Sequence, residues 1–329
     1  MPLDQFGREI DYLRISVTDH CNLRCVYCMP LSGVQYAPSE NLLQAVEIQR
    51  VVEAAASIGF RRVRLTGGEP TLRPEIVEIV ERVARVAGIE DVAMTTNGLR
   101  LPQLGSALAA AGLCRVNLHI DSLHPERLAG VMRWATRDAM WAGLEAAVAA
   151  GFKPIKINSV MTRDFNEEDA VELAGLTLDR PWHVRFIELM PLGGGECAQL
   201  SKDRLVPTRE TRARIEAALG PLTAVPSSHP SDEARLYRLP QALGIVGFIS
   251  PVTEPFCGTC NRMRLTADGR FHLCLLHDDE LDVRRALRQG ADREQIAKIL
   301  LRAVGAKPTG HALARGISPL ERSMHHVGG

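Results

Sequence analysis

The sequence predicts an α/β fold: a partial (β/α)6 barrel, open on one side, followed by a smaller C-terminal α+β domain. Three observations lead there. Strand-like and helix-like segments alternate through the first two-thirds of the 329 residues, as parallel βα units do. About six such units can be counted, fewer than the eight of a closed barrel. After Gly193-Gly194-Gly195 the alternation stops and hairpin-like segments take over.

The strands are expected at 12–18, 62–66, 92–96, 115–120, 154–160 and 184–189, with helices such as 43–58, 75–86 and 136–150 between them. The strands end in polar or glycine-rich turns: Thr18-Asp19-His20-Cys21, Thr66-Gly67-Gly68-Glu69-Pro70, Thr95-Thr96-Asn97-Gly98, Asp121-Ser122 and Met190-Pro191. One of these alone is an ordinary turn. So many at the same end of successive strands mark the carboxyl rim, where βα folds gather their chemistry. Beyond lie a helix at 210–219, a Pro/Ser-rich stretch at 226–230, and hairpin-like segments around 236–239, 245–249 and 262–275. The last stretch turns helical again before a polar tail and Gly328-Gly329. A boundary near Gly220 divides the chain into a barrel, 1–220, and a C-terminal domain, 221–329.

Composition narrows the partners. Hydrophobic residues at 46% and charged residues at 24% describe a globular protein. Lys+Arg and Asp+Glu are both 39, so there is no global attraction to nucleic acid. Aromatics at 5% offer little surface for base stacking. The N-terminus, MPLDQFGREI, lacks the apolar core of a signal peptide, and no apolar run is long enough to span a bilayer. The expectation is a cytoplasmic monomer or homodimer with no membrane or nucleic-acid partner. In that setting, eight cysteines in clustered spacings indicate metal binding rather than disulfides.

Cys21, Cys25 and Cys28, spaced C-x3-C-x2-C, follow the first strand. Three thiolates on one loop form a soft-ligand site for iron–sulfur or zinc. A four-iron cluster usually takes four cysteines, so three would leave one iron open to a small molecule. Cys257, Cys260 and Cys274 repeat the theme as C-x2-C-x13-C. Here a strand at 261–267, a two-residue turn at Asp268-Gly269 and a return strand at 270–275 pair Cys274 with Met263 and curl toward Cys260. A zinc ribbon completed by His272 or His277 is the alternative. Cys114 and Cys197 stand apart in sequence.

Cations complete the pattern. Arg262 and Arg264 share one strand face, with Met263 and Leu265 opposite. Two guanidinium groups beside a metal site suit an anion or a purine edge, although a solvated strand face is the plainer reading. Arg14, Arg64, Lys156 and Arg185 each interrupt an apolar strand. Buried cations need partners: Glu69, Asp121 or Glu188, or a small polyanion such as a nucleotide triphosphate.

C-x3-C-x2-C with Tyr27 before its last cysteine is similar to the signature of the radical S-adenosylmethionine (SAM) superfamily, whose barrel is TIM-like. With the GGEP turn, the second tricysteine group, the Arg-x-Arg inside it and the terminal Gly-Gly, the chain resembles the GTP 3′,8-cyclase family of molybdenum cofactor biosynthesis, from Leu13 to Gly329. The resemblance implies two [4Fe-4S] clusters, one on Cys21, Cys25 and Cys28 that chelates SAM, and one on Cys257, Cys260 and Cys274 that meets the guanine of GTP. It implies SAM contacts by Tyr27, Gly68, Glu69, Met190 and the position held by His119, where the family commonly has Ser. It assigns GTP to Arg14, Arg64, Thr95, Lys156, Arg185, Arg262, Met263 and Arg264. A SAM-derived radical would take the 3′ hydrogen of GTP, and C3′ would then close onto C8. It further implies an electron donor of flavodoxin or ferredoxin type and a downstream cyclic pyranopterin monophosphate synthase. The rival readings are another radical SAM enzyme with an auxiliary cluster and a non-catalytic electron carrier.

Overall fold

The computed structural model describes residues 1–32, 34–193, 195–227 and 231–328. Of the expected features, Gly194, residues 228–230 and Gly329 lie outside the described residues. The chain runs β1 (Tyr12–Ser16), α1 (Ala45–Ser57), β2 (Arg62–Thr66), α2 (Ile76–Ala84), β3 (Asp91–Thr96), α3 (Leu101–Ala110), β4 (Arg115–His119), α4 (Pro125–Met132), α5 (Arg137–Ala149), β5 (Lys156–Met161), α6 (Ala170–Asp179) and β6 (His183–Glu188). It continues through α7 (Gly195–Asp203), α8 (Thr208–Leu219), β7 (Thr223–Val225), β8 (Arg235–Arg238), β9 (Ile245–Ile249), β10 (Arg262–Leu265), β11 (Arg270–His272), β12 (Glu280–Asp282), α9 (Arg284–Arg288), α10 (Arg293–Gly305) and α11 (Met324–Val327).

Six βα units form the barrel wall, and β1 to β6 pair in parallel in sequence order. The C-terminal third adds to both edges of this sheet. β10 pairs in parallel with β1, and β9 pairs in parallel with β6. The result is one 12-stranded sheet ordered β12-β11-β10-β1-β2-β3-β4-β5-β6-β9-β8-β7.

Helices cover the outer face. α2 buries Ile76, Ile79, Val80 and Val83, the i, i+3, i+4, i+7 stripe of an amphipathic helix. α1 begins on a capping box between Gln44 and Glu47, and α10 on one between Asp292 and Gln295, which satisfies backbone donors at each start. Along β1 the outward Leu13 and Ile15 enter the hydrophobic core. The alternate residues, Arg14 and Ser16, are also buried, but they face the barrel interior. The period-two alternation of a strand thus sends oil one way and charge the other.

One local expectation is corrected. The turn between β10 and β11 has three residues, not two. Arg264 pairs with His272 and Leu265 with Phe271, one residue out of the expected register. Gly269 sits at φ +76°, the left-handed bulge position of a three-residue hairpin loop. Its N–H donates to the Thr266 carbonyl at 3.0 Å, and the Thr266 N–H donates to the Arg270 carbonyl at 2.9 Å.

Candidate active site at the barrel mouth

The first cysteine loop is fixed by the glycines of the GGEP turn. A side chain at Gly67 would place its Cβ 2.4 Å from the Thr18 carbonyl oxygen, and one at Gly68 2.3 Å from that of His20. Only glycine permits so close a backbone approach. The N–H groups of Gly68 and Glu69 then donate to Thr18 and His20, both at 2.7 Å. Within the loop, the amides of Cys28 and Met29 donate to the Cys25 carbonyl at 2.9 and 3.1 Å. Arg133 donates to the carbonyls of Arg24 and Met29 at 2.8 and 2.9 Å. Burial, followed by Cys25, pushes the Cys28 thiol well up, and burial pushes Cys21 up to about 11. The negative charge of each neighbouring sulfur adds to the shift, so the three thiols face one another.

Glu69 is more than a ligand candidate. It is buried, and its carboxylate accepts from the Thr71 amide (3.0 Å) and hydroxyl (2.6 Å), the Thr96 hydroxyl (2.7 Å) and the Asn97 amide (2.7 Å). It ties the GGEP turn to the end of β3, and Oε2, with one donor, keeps acceptor capacity. His119 closes a network around Cys25. Its Nε2 lies 2.6 Å from the Tyr27 hydroxyl and 2.9 Å from Asp121 Oδ2, and Tyr27 donates to the same Asp121 oxygen at 2.6 Å. Burial alone would lower the His119 pKa; Asp121 and Cys25 outweigh it and raise it to about 10.

The second trio sits in a basic frame built from the chain's two ends. Arg8 donates to the carbonyls of Cys257 (2.8 Å), Thr309 (2.9 Å) and Pro308 (2.6 Å). Lys307 is buried and donates to the Arg262 and Leu273 carbonyls, both at 2.7 Å. Burial would raise the Cys260 thiol, but Lys307, Arg262 and Arg8 hold it below its ordinary value. A cavity of about 150 Å³ opens beside these three cysteines, lined also by Met190, Arg14, Arg64 and Arg264.

The proposed zinc ligands are engaged elsewhere: His277 contacts the Gly310 carbonyl at 3.1 Å and His272 pairs with Glu280 at 3.2 Å. Tetrahedral zinc with 2.3 Å bonds needs sulfurs roughly 3.8 Å apart. Among the described residues, the groups of potential ligands closing within 4.8 Å are Cys25/His119/Asp121 and His124/Asp169/Glu172, and neither includes a cysteine trio. The wider spacing fits a cluster in both places.

Between the trios, the sheet register lines up cations. Arg264, Arg14 and Arg64 are direct neighbours across β10, β1 and β2. Burial, then Arg264 and Arg64, holds Arg14 well below its ordinary pKa, and its Nε has no partner among the described residues. Burial, then Arg185, Arg115 and Arg64, brings Lys156 down to about 7. Burial likewise lowers Arg185 and Arg264 to about 10 each. A second cavity of about 70 Å³ continues downward between Arg62, Arg64, Arg115, Lys156 and Arg185. The tail reaches the same row: Arg264 donates to the Gly328 carbonyl at 2.5 Å and to that of Val327 at 3.4 Å.

Two expected residues stand apart from the cavity linings. Met263 is fully buried in the hydrophobic core, on the face away from the arginines, so only its backbone is available to a ligand. The Thr95 hydroxyl is buried without a partner, on β3 beside Asn117. Sequence reasoning missed Asn117, Glu233, Arg8 and Lys307. With its amide oxygen turned inward, Asn117 accepts from Arg64 and from Arg185 Nη2, the latter at 2.9 Å. The N-L-H-I-D string around Asn117 carried a signal; the others are set by contacts hundreds of residues away.

This barrel, with an open tricysteine loop at its carboxyl rim, defines a member of the radical SAM superfamily, which uses SAM and an iron–sulfur cluster. The chain matches the Radical SAM superfamily over residues 15–177 and the Molybdenum Cofactor Synthesis C family over 182–313. It is 46% identical over 328 residues to the GTP 3′,8-cyclase of Pelotomaculum thermopropionicum, covering 99% of both chains. It is also 46% identical to that of Heliobacterium modesticaldum, covering 99% of this chain and 100% of the relative. A crystal structure of HydG, a maturase of the [FeFe]-hydrogenase, aligns at TM-score 0.50 and 17% identity over 65% of this chain and 50% of that one, a likeness of fold alone. The chain belongs to the GTP 3′,8-cyclase family.

Proposed function

We infer that this chain cyclises GTP to (8S)-3′,8-cyclo-7,8-dihydroguanosine 5′-triphosphate, the first step of molybdenum cofactor biosynthesis. One observation carries the reading: the buried row Arg264–Arg14–Arg64 runs through the barrel between two open tricysteine sites. Adjacent desolvated guanidinium groups repel one another and require a polyanion, and a triphosphate supplies it.

The residues fit two clusters. Cys21, Cys25 and Cys28 would hold the first and Cys257, Cys260 and Cys274 the second, each three thiols with no fourth protein ligand within closing distance among the described residues. The first cluster, when bound with SAM, supplies the radical chemistry. The protein supplies position. Glu69 offers Oε2 to the SAM ammonium, while the bare backbone at Gly68 makes room. Tyr27, His119 and Asp121 fix the wall beside Cys25, and Met190 lies between the two ligand volumes. Arg14, Arg64, Lys156 and Arg185 hold the phosphates. Arg262 and Arg264 anchor the nucleotide near the second trio. Thr95 and the backbone of Met263 complete the site. Holding both reactants at fixed separation in a dry barrel keeps a reactive radical from straying. A flavodoxin- or ferredoxin-type protein delivers the electron, and cyclic pyranopterin monophosphate synthase takes the product.

The test is anaerobic reconstitution, iron and sulfide counting, and product analysis with GTP. Replacing any of the six cysteines is expected to abolish cyclisation. Full turnover by Cys257→Ser, or loading with zinc alone, would overturn the assignment.

A further inference from the structure

The charges inside the barrel do not balance residue by residue. Arg62 pairs with Asp11 at 2.9 Å, and Arg115 pairs with Asp91. That leaves Arg14, Arg64, Lys156, Arg185, Arg262 and Arg264. Among the described residues, the ion pairs of this group all go to one carboxylate, Glu233. Its Oε2 pairs with Arg262 Nη2, and its Oε1 lies 3.9 Å from Arg185 Nη1. Arg262 also donates to the Ser231 carbonyl at 2.9 Å, so it grips the loop between β7 and β8 at two points. Glu233 lines both cavities, as do Arg64 and Arg262; it stands where the two volumes meet. Burial would raise its pKa, but Arg262, Arg64, Arg185 and Arg14 hold it well below the usual carboxylate range.

We propose that the Glu233 carboxylate is a tethered stand-in for a substrate phosphate, which neutralises the basic cavity of the empty enzyme, excludes small free anions, and yields only to a polyphosphate chain. The proposal rests on the basic interior being the triphosphate site. A carboxylate carried on the chain competes at an effective concentration of the order of mM or above. A single phosphate, meeting one or two cations, cannot match it. A triphosphate engages Arg64, Lys156, Arg185 and Arg14 together, and its several charge-assisted bonds displace the one pair. Glu233 is thus a specificity-determining residue that selects ligands by their number of phosphates.

The experiment uses anaerobically reconstituted protein without SAM. Isosteric Glu233→Gln should bind GTP and inorganic tripolyphosphate about tenfold more tightly than the parent. About 10 mM inorganic phosphate should leave the parent's GTP affinity unchanged but compete with GTP in the variant. The variant should also melt lower in dilute buffer and recover on adding tripolyphosphate. Equal or weaker GTP binding by folded Glu233→Gln overturns the proposal. Should that variant fail to fold, Glu233→Asp, which keeps the charge but withdraws it, should bind GTP several-fold more tightly, and unchanged binding overturns the proposal equally. Arg185→Ala separates the two levels. If it leaves GTP affinity intact, the triphosphate site itself is misplaced. If it weakens GTP while Glu233→Gln does not tighten it, only the stand-in role fails.

Discussion

Lys156 makes the affinity for substrate depend on pH near neutrality. Burial, then the three neighbouring arginines, brings its pKa from 10.5 to about 7. Charging it in the empty barrel therefore costs ~5 kcal/mol relative to water. A bound triphosphate reverses the balance and restores the ammonium. If the pKa in the complex returns to about 9, binding at pH 8 takes up ~0.8 proton, and affinity falls ~25-fold between pH 7 and 9. Working above pH 7 keeps the terminal phosphate, with a second pKa near 6, out of the titration. The assay is calorimetric GTP binding to the reconstituted enzyme in buffers of different ionisation heat. Lys156→Arg should keep tight binding and lose the pH dependence; Lys156→Met should lose both. The same shift acts on folding. Between about pH 7 and 10.5 the unfolded chain holds a proton that the folded chain has lost, so this residue adds stability as pH rises through that window. Zero proton uptake at pH 8, with a flat affinity profile, would refute the reasoning.

Two further predictions follow from geometry. Gly328→Ala puts a Cβ 2.2 Å from Thr66 Cγ2 at a φ of +72°, so the tail must leave Arg264. GTP cyclisation should fall by about tenfold or more while SAM cleavage persists, and equal cyclisation rates would contradict this. Arg8→Ala strips three carbonyls of their donor and leaves buried Asp4 without its ion pair. The expected loss is ~3–5 kcal/mol, read as a lower melting temperature and an iron content about half that of the parent; full iron loading would show that the second trio does not depend on this brace.

Much of this site was legible in the sequence because its chemistry is written in local spacing. Three thiols within eight residues, and arginines at alternate positions of one strand, fix a loop and a face before any tertiary contact exists. β2 was placed to the residue, and the other barrel strands within a residue or two at each end, because apolar runs between turn residues mark buried parallel strands. The rest required long-range geometry. Arg8 reaches residues 249 to 301 positions away, and no pattern around Gln5 to Ile10 announces it. Glu233 looked like one acidic residue in a polar loop; only the joining of β9 to β6 carries that loop over the barrel. The β10–β11 register failed by one residue because Asp268-Gly269 was read as the whole turn, whereas Ala267 belongs to it as well.

The pairing of β10 with β1 has a consequence for biogenesis. The strand made first has a neighbour that emerges some 250 residues later, Tyr12 lying against Arg262. One flank of the founding strand therefore stays bare while most of the polypeptide leaves the ribosome. Closure waits for almost complete synthesis, and contacts so distant in sequence form slowly. Insertion of either inorganic centre would then be a late event, since the segment that frames the second one arrives only with the final stretch of translation.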